Sequence, residues 1–190
     1  VDSNPGPTAQ TMMQASAGQP DVIFSHAALH WVDDHRQLFA RLAGRLTDGR
    51  GGAPQGQLVV QMPSNHGHAS HQIVRDVAAE APFSAALGGC VRPTPVLSIG
   101  EYAELLHALG FSQITVLEKV YGQQMQDGAA VLDWVRGTLL VPYEQRLRDD
   151  PGRWGAFLSR VRQRYEEELQ GRPYFYAFRR TLLVAQGHTE

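Results

Sequence analysis

Hydrophobic positions recur along the chain in two patterns. Nearly continuous apolar runs at 21–25 and 57–62 are typical of strands that are buried on both faces of a sheet. Apolar residues spaced three and four apart over 35–46, 70–79 and 99–109 predict helices that each bury one face. Strands that alternate with helices in this way predict an α/β fold whose central strands run parallel.

Local signals mark the ends of the predicted helices. Residues 98–101 have the Ser-x-x-Glu spacing of a capping box, and residues 34–37 place Asp and Gln at the same spacing. At 150–151, Asp before Pro is typical of an N-cap followed by a first-turn proline. Asp127 opens another predicted helix, which Pro142 is expected to end because proline lacks a backbone N–H.

The C-terminal half of the chain has a different arrangement. The predicted strands at 113–121 and 174–185 are longer and of mixed polarity. Such strands suit an antiparallel pair at the edge of a sheet, where one face meets solvent. The helix that begins near 151 is long, and Arg160 is expected on its outer face.

Composition narrows the class of protein. Of the 190 residues, 43% are hydrophobic and the net charge is −2 at pH 7. The chain therefore has the composition of a globular protein, with no broad basic field for nucleic acid or an anionic membrane. No apolar run approaches the ~20 residues that span a bilayer. One cysteine excludes an internal disulfide, and a cytoplasmic location fits these features.

Three histidines lie close together in the chain, at His66, His68 and His71. Two of them could chelate a metal ion from one helix, but no third ligand or general base accompanies them in the sequence. We expect no metal here, and we interpret the segment as a polar loop that faces a ligand or solvent.

The stretch 21–32 is the strongest candidate for a ligand site. An apolar strand ends there in small, polar and aromatic residues, and Asp33 and Asp34 then begin a helix. In open α/β sheets, ligands bind where the carboxyl end of a strand leads into a helix. A small molecule is therefore expected at this position.

Several motifs make the chain similar to the trans-aconitate 2-methyltransferase branch of the class I S-adenosylmethionine-dependent methyltransferases. The first is Asp21 to Ser25 followed by Ala27-Ala28-Leu29-His30-Trp31. The others are Gln57 to Pro63, Arg92 to Pro95, Tyr102 with Leu109-Gly110-Phe111, Trp134 to Leu140, and Pro173 to Tyr176. The family often has Asn where this chain has His26. The resemblance runs from about Asp21 to the C-terminus.

The resemblance implies a partial Rossmann-like fold with parallel central strands, an antiparallel C-terminal strand pair and a helical insertion. It implies one partial domain, with a loop or remnant of the cofactor half at 1–20, sheet and helices at 21–126, a helical lid at 127–171 and a closing strand at 172–190. The family's glycine-rich cofactor loop would precede Val1. Its third strand would fall between Asp2 and Asp21. The chain by itself is therefore expected to bind the cofactor weakly or not at all, and its own activity is left open.

The cofactor implied by the resemblance is S-adenosylmethionine. The residues that match the family's cofactor site are Asp2, Ser25, His26, Ala27 and Trp31. A carboxylate can accept hydrogen bonds from a ribose diol, which suits Asp2. A disordered terminal residue is the alternative for Asp2, and a position in the core is the alternative for Trp31.

The implied substrate is trans-aconitate or a similar small polycarboxylate, which would become a monomethyl ester. A carboxylate is already nucleophilic, so no catalytic base is assigned, and binding needs cationic and hydroxyl donors. The candidates are His30, Arg92, Arg136, Tyr174, Tyr176 and Arg179. Arg136 could instead be solvated, and the two tyrosines could be core residues. Arg179 and Arg180 are adjacent on a strand, so they should point to opposite faces.

A second class of function stays open. The chain could be a non-catalytic remnant, or an interaction protein that retained the substrate half. In the implied fold, the strand at 21–25 would have an uncovered edge, and such an apolar edge favours self-association. Residues 8–17 folding back over the edge is the alternative.

Overall fold

The computed structural model describes residues 20–46, 53–89 and 94–187. The strands are β1 (Val22–His26), β2 (Gln57–Pro63), β3 (Gln113–Met125) and β4 (Tyr174–Gln186). The helices are α1 (His35–Arg45), α2 (Ala69–Ala79), α3 (Phe83–Ala86), α4 (Ile99–Ala108), α5 (Gly128–Leu139), α6 (Val141–Leu147) and α7 (Pro151–Glu168). None of the helices in these ranges is long and apolar enough to cross a membrane.

The four strands form one sheet in the order β1-β2-β4-β3. The two apolar strands β1 and β2 are parallel, and β4 runs antiparallel to β2. The strands β3 and β4 are antiparallel. The Ser112 N–H, just before β3, donates to the Gln186 carbonyl at the end of β4, and Glu118, further along β3, pairs with Arg179, which comes earlier in β4. The predicted α/β class, with a parallel pair and an antiparallel C-terminal pair, is confirmed.

The predicted helix starts are confirmed by their caps. Ser98 and Glu101 form a complete capping box at α4. The side chains of Asp34, Asp127 and Asp150 each accept a hydrogen bond from a backbone N–H in the first turn of α1, α5 and α7. Each cap satisfies an N–H that has no partner within its own helix.

Two local features differ from the prediction. The helix α5 does end before Pro142, but Pro142 then lies in the first turn of a further helix, α6. A missing N–H costs nothing in a first turn, so the same residue can stop one helix and start another. Burial of Tyr143 and Leu147 holds α6 in place. The short helix α3 was not predicted.

The chain divides into two compact units. The sheet unit comprises residues up to Ser64, Thr94–Lys119 and the residues from Arg179 onward, and the helical unit comprises Asn65–Pro93 and Val120–Phe178. The predicted insertion at 127–171 lies within the helical unit, together with α2 and α3. A lid function for it stays a prediction.

Each unit has its own apolar core. In the sheet unit, α1 and α4 pack against one face of the sheet through buried residues that include Phe39, Leu58, Leu106 and Leu183. In the helical unit, α2, α5, α6 and α7 enclose a core that includes Val77, Val131, Phe157 and Tyr165.

The opposite face of the sheet, which we call the open face, carries apolar residues that remain accessible. Strand register aligns Phe24 of β1 with Val59 of β2 and Val184 of β4. Phe24 is 68% exposed and Val184 is 39% exposed, whereas Leu58, next to Val59 in the chain, is fully buried against α1 and α4. Apolar side chains in an uncovered row of this kind are typical of surfaces that meet another segment or molecule.

Candidate functional site

The chain turns sharply where β1 ends. Ala27 has a left-handed backbone, with φ at 51°, and its N–H donates to the Gln61 carbonyl of β2 at 2.8 Å. Left-handed conformations are costly for residues other than glycine, and they concentrate at functional turns. A short 3₁₀ turn at Leu29–Trp31 follows. The predicted ligand position is therefore a constrained turn at the carboxyl ends of two parallel strands.

Four predicted cofactor residues lie on this turn. Ser25 and Ala27 are half-buried, while His26 is exposed and Trp31 is 42% exposed. The substrate candidate His30 lies beside them, with its ring centroid 4.9 Å from that of Trp31. The predicted residues from 25 to 31 thus share one small region of the sheet unit. Asp2, the fifth cofactor candidate, lies outside the described residues.

A buried histidine supports this turn from below. His35, which is 2% exposed, donates from Nε2 to the Leu29 carbonyl at 3.0 Å. Its Nδ1 accepts from the hydroxyl of Tyr102, which in turn accepts from the Leu97 N–H at 3.2 Å. A carbonyl can only accept, so Nε2 carries a proton, and in a neutral ring Nδ1 is then the acceptor. Burial lowers the pKa of His35, which favours the same neutral form.

The two adjacent arginines of β4 point to opposite faces, as predicted. Arg179 is 55% exposed and pairs with Glu118 of β3 at 3.6 Å. Arg180 donates from Nη1 to the Gln61 Oε1 at 2.8 Å. The sequence-based choice for a ligand contact was Arg179. The structure places Arg180, rather than Arg179, next to Gln61, whose backbone carbonyl accepts from the Ala27 N–H in the turn after β1.

In the helical unit, the tyrosines of β4 contact a histidine. His68 caps α2 by accepting from the Ser70 N–H, and its Nε2 lies 3.4 Å from the Tyr174 hydroxyl. The ring centroids of His68 and Tyr176 are 4.4 Å apart. Burial raises the pKa of Tyr174 and of Tyr176, so both phenols stay protonated donors.

Tyr174 and Tyr176 differ in accessibility. Tyr176 is 1% exposed, belongs to the core of the helical unit and packs edge-on against Trp134 at 5.0 Å. Its hydroxyl lies 3.4 Å from the Ser70 Oγ. Tyr174 is only half-buried. Of the two, Tyr174 is better placed to reach a ligand, and Tyr176 orders its surroundings.

The remaining substrate candidates are placed differently. Arg136 is exposed on α5, two residues after Trp134. Arg92 lies outside the described residues. Arg160 was expected on the outer face of α7. In the structure it makes two hydrogen bonds to the carboxylate of Glu80, at 2.8 and 3.2 Å, so it is held by an ion pair. Long-range ion pairs of this kind leave no mark in local spacing.

One member of the histidine cluster of the helical unit, His71, is held in its neutral form. His66 and His71 have ring centroids 5.6 Å apart. Burial, with the nearby His66 and Arg75, lowers the pKa of His71 to about 3. Within the described ranges, no group of three or more His, Cys, Asp or Glu side chains is arranged to hold a metal ion.

Comparison with known proteins identifies close relatives. The chain is 40% identical over 179 residues to a Deinococcus radiodurans protein named trans-aconitate 2-methyltransferase, covering 91% of the chain and 66% of the relative. A Variovorax paradoxus protein of the same name is 39% identical over 170 residues, covering 88% and 62%. The chain thus spans slightly less than two thirds of the length of these relatives. No family model matches.

Among solved structures, a similar one is Haemonchus contortus phosphoethanolamine N-methyltransferase 2 in complex with S-adenosyl-L-methionine. The match covers 88% of this chain and 33% of the Haemonchus contortus chain, at 16% sequence identity and a TM-score of 0.35.

Proposed function

The chain belongs to the trans-aconitate 2-methyltransferase family, and from this we propose that the full-length protein containing it methylates a carboxylate of trans-aconitate or a similar small polycarboxylate. The observation that carries this proposal is 40% identity over 179 residues to a relative of that name. The constrained turn after β1 supports it, because it lies where ligands bind in open α/β sheets.

The chemistry requires little from side chains. S-adenosylmethionine, when bound, would supply an electrophilic methyl group, and a substrate carboxylate oxygen would form its bond to this methyl group as the methyl–sulfur bond breaks. The products are a methyl ester and S-adenosylhomocysteine, and no proton is transferred. The protein's contribution is then to hold both ligands in line and to exclude water. Such a transfer needs no catalytic base.

The described residues of the turn fit the proposed cofactor. The exposed indole of Trp31 offers an aromatic surface to a purine, and the backbone around Ala27 is held away from ordinary strand geometry. His26 is exposed next to that backbone. We assign these residues and Ser25 to cofactor binding, with Asp2 as a further candidate for the ribose.

Substrate carboxylates need donors, and both units contain them. The described candidates are His30 and Arg179 in the sheet unit, and Arg136, Tyr174 and Tyr176 in the helical unit. Arg136 is exposed and can form a bidentate bond to a carboxylate. Arg92 remains a candidate from the sequence, and so does the cytoplasmic location.

Self-association is a second part of the proposal. Among the described strands, β1 is at one edge of the sheet, and its Val22 and Phe24 are 53% and 68% exposed. An apolar edge strand of this kind favours pairing with another chain. Light scattering after size-exclusion chromatography of the 190-residue chain tests this, and a monodisperse monomer with a cooperative melt would reject it.

An interaction protein without catalysis is the second candidate function. The same apolar open face, with Phe24 and Val184 exposed, favours it. Cofactor binding separates the two candidates. Calorimetry of the full-length protein should detect binding of S-adenosylmethionine if it is an enzyme. No detectable heat at millimolar ligand, from protein with a cooperative melt, would favour the interaction protein.

A further inference from the structure

Three polar side chains form a row on the open face at the carboxyl ends of β1 and β2. His26 is opposite Gln61 in the parallel pair, and Arg180 of β4 is opposite Pro63. Arg180 Nη1 donates to Gln61 Oε1 at 2.8 Å. Gln61 and Val59 are two residues apart on the same strand, so their side chains share the open face. The row therefore begins where the apolar part of this face ends.

The amide nitrogen of Gln61 has an unsatisfied bonding capacity. Gln61 Nε2 is buried and has no hydrogen-bond partner within the described part of the chain. Exchanging the amide oxygen and nitrogen does not remove the problem. A guanidinium only donates, so the oxygen must face Arg180. A buried donor without an acceptor is unfavourable, and an acceptor from outside the described residues would satisfy it.

The Gln61–Arg180 pair offers donors for a carboxylate. A guanidinium has N–H donors in a planar fork that matches the geometry of a carboxylate, and one of these N–H groups of Arg180 donates to Gln61. Gln61 Oε1 fixes the orientation of Arg180, while Gln61 Nε2 supplies a further donor. The backbone carbonyl of Gln61 also accepts from the N–H of Ala27, so this residue links the pair to the turn after β1.

We propose that Gln61 and Arg180 form a carboxylate-binding site of this protein. The proposal deepens the proposed function, on which it rests for the identity of the ligand. Two ligands of the reaction carry such a group: the polycarboxylate substrate, and the amino acid end of S-adenosylmethionine. Their shared chemistry is a carboxylate that accepts from an amide and a guanidinium.

The test compares Gln61→Leu and Arg180→Gln with Gln57→Leu in the full-length protein. Gln57 is on the same strand and the same face, opposite Gln186 at the far end of β2. Affinities are measured by calorimetry for S-adenosylhomocysteine, for 5′-methylthioadenosine, which lacks the amino acid end, and for trans-aconitate. Melting curves establish that each variant is folded, and Gln61→Asn and Arg180→Lys replace any that is not.

The two ligand sources give different results. If the site holds the cofactor, both variants should weaken S-adenosylhomocysteine binding about tenfold, a loss of ~1.4 kcal/mol, and leave 5′-methylthioadenosine unchanged. If the site holds the substrate, both variants should instead weaken the binding of trans-aconitate about tenfold. Changes no larger than in Gln57→Leu for every ligand would overturn the proposal. Because binding is measured without turnover, a protein that forms no ester but still shows these losses would reject the proposed function alone.

Discussion

The hydroxyl of Tyr102 donates to Nδ1 of His35 inside the sheet unit, although the two residues are 67 positions apart. Through this bond α4 is joined to the start of α1, and through His35 Nε2 it reaches the Leu29 carbonyl of the turn after β1. The Leu97 N–H donates to the same hydroxyl. One buried polar network therefore fixes the geometry of the proposed cofactor turn.

Removing this hydroxyl should destabilise the sheet unit. In Tyr102→Phe, His35 Nδ1 loses its donor and the Leu97 N–H loses its acceptor, so the free energy of unfolding should fall by roughly 1–3 kcal/mol. Urea unfolding followed by circular dichroism measures the change. Tyr121→Phe, on the exposed part of β3, is the matched control. Equal unfolding midpoints for the two variants would show that the network contributes no stability.

The stability of the protein should decrease in mild acid through His71. Its pKa is lowered to about 3 in the folded state, against about 6.5 when unfolded. The unfolded chain therefore takes up the proton first. The contribution of His71 is complete above about pH 6.5 and is lost as the pH falls towards 3. Burial lowers the pKa of His35 too, so this residue acts in the same direction.

Unfolding free energies at a series of pH values test this. His71→Leu should have a shallower decline between pH 6.5 and 4 than the unchanged protein. The exposed His107 is the control, and His107→Leu should retain the full decline. A decline of the same slope in His71→Leu would mean that His71 is not held neutral.

An ion-pair network should stabilise the helical unit in a salt-dependent way. Glu80 accepts from Arg160 of α7 at 2.8 Å and from Arg164 at 3.2 Å, and the bond from Arg160 is the main cause of its lowered pKa. Glu80→Gln should lower the melting temperature more in 50 mM salt than in 1 M salt, because partly exposed pairs are screened. The control is Glu166→Gln, because Glu166 is exposed on α7. A deficit that does not change with salt would argue against an electrostatic role.

Arg136 should contribute to binding of the polycarboxylate. In the full-length protein, Arg136→Ala is expected to raise KM for trans-aconitate about tenfold and to change KM for S-adenosylmethionine little, since a guanidinium–carboxylate bond would be lost. Arg160 is unsuitable as a control because it holds Glu80. Arg148, whose side chain is 73% exposed, serves instead. Identical kinetics for Arg136→Ala and Arg148→Ala would exclude Arg136 from the substrate site.

The sequence predicted those features that depend on neighbouring residues. The capping box at Ser98 and Glu101 is an example, because both of its hydrogen bonds close within three residues. The opposite orientation of Arg179 and Arg180 follows equally from strand geometry. Pro142 shows the limit of such signals, since a proline fits both after one helix and in the first turn of the next.

Contacts between distant parts of the chain could not be predicted in this way. The partners His35 and Tyr102 are 67 residues apart, and Gln61 and Arg180 are 119 apart. Neither pair has a local spacing that distinguishes it from ordinary helix or strand residues. Their meeting depends on how α4 packs on the sheet and on the register of β2 with β4, which only the folded chain specifies.

The most direct test of the account is to look for the methyl ester itself. The full-length protein is incubated with trans-aconitate and S-adenosylmethionine labelled with ¹³C in its methyl group. The products are separated by chromatography, and they are identified and quantified by mass spectrometry. The relative from Deinococcus radiodurans is assayed alongside as the positive control. We expect a labelled trans-aconitate monomethyl ester and an equal amount of S-adenosylhomocysteine. No labelled ester from folded protein, under conditions in which the relative forms it, would contradict the proposed function.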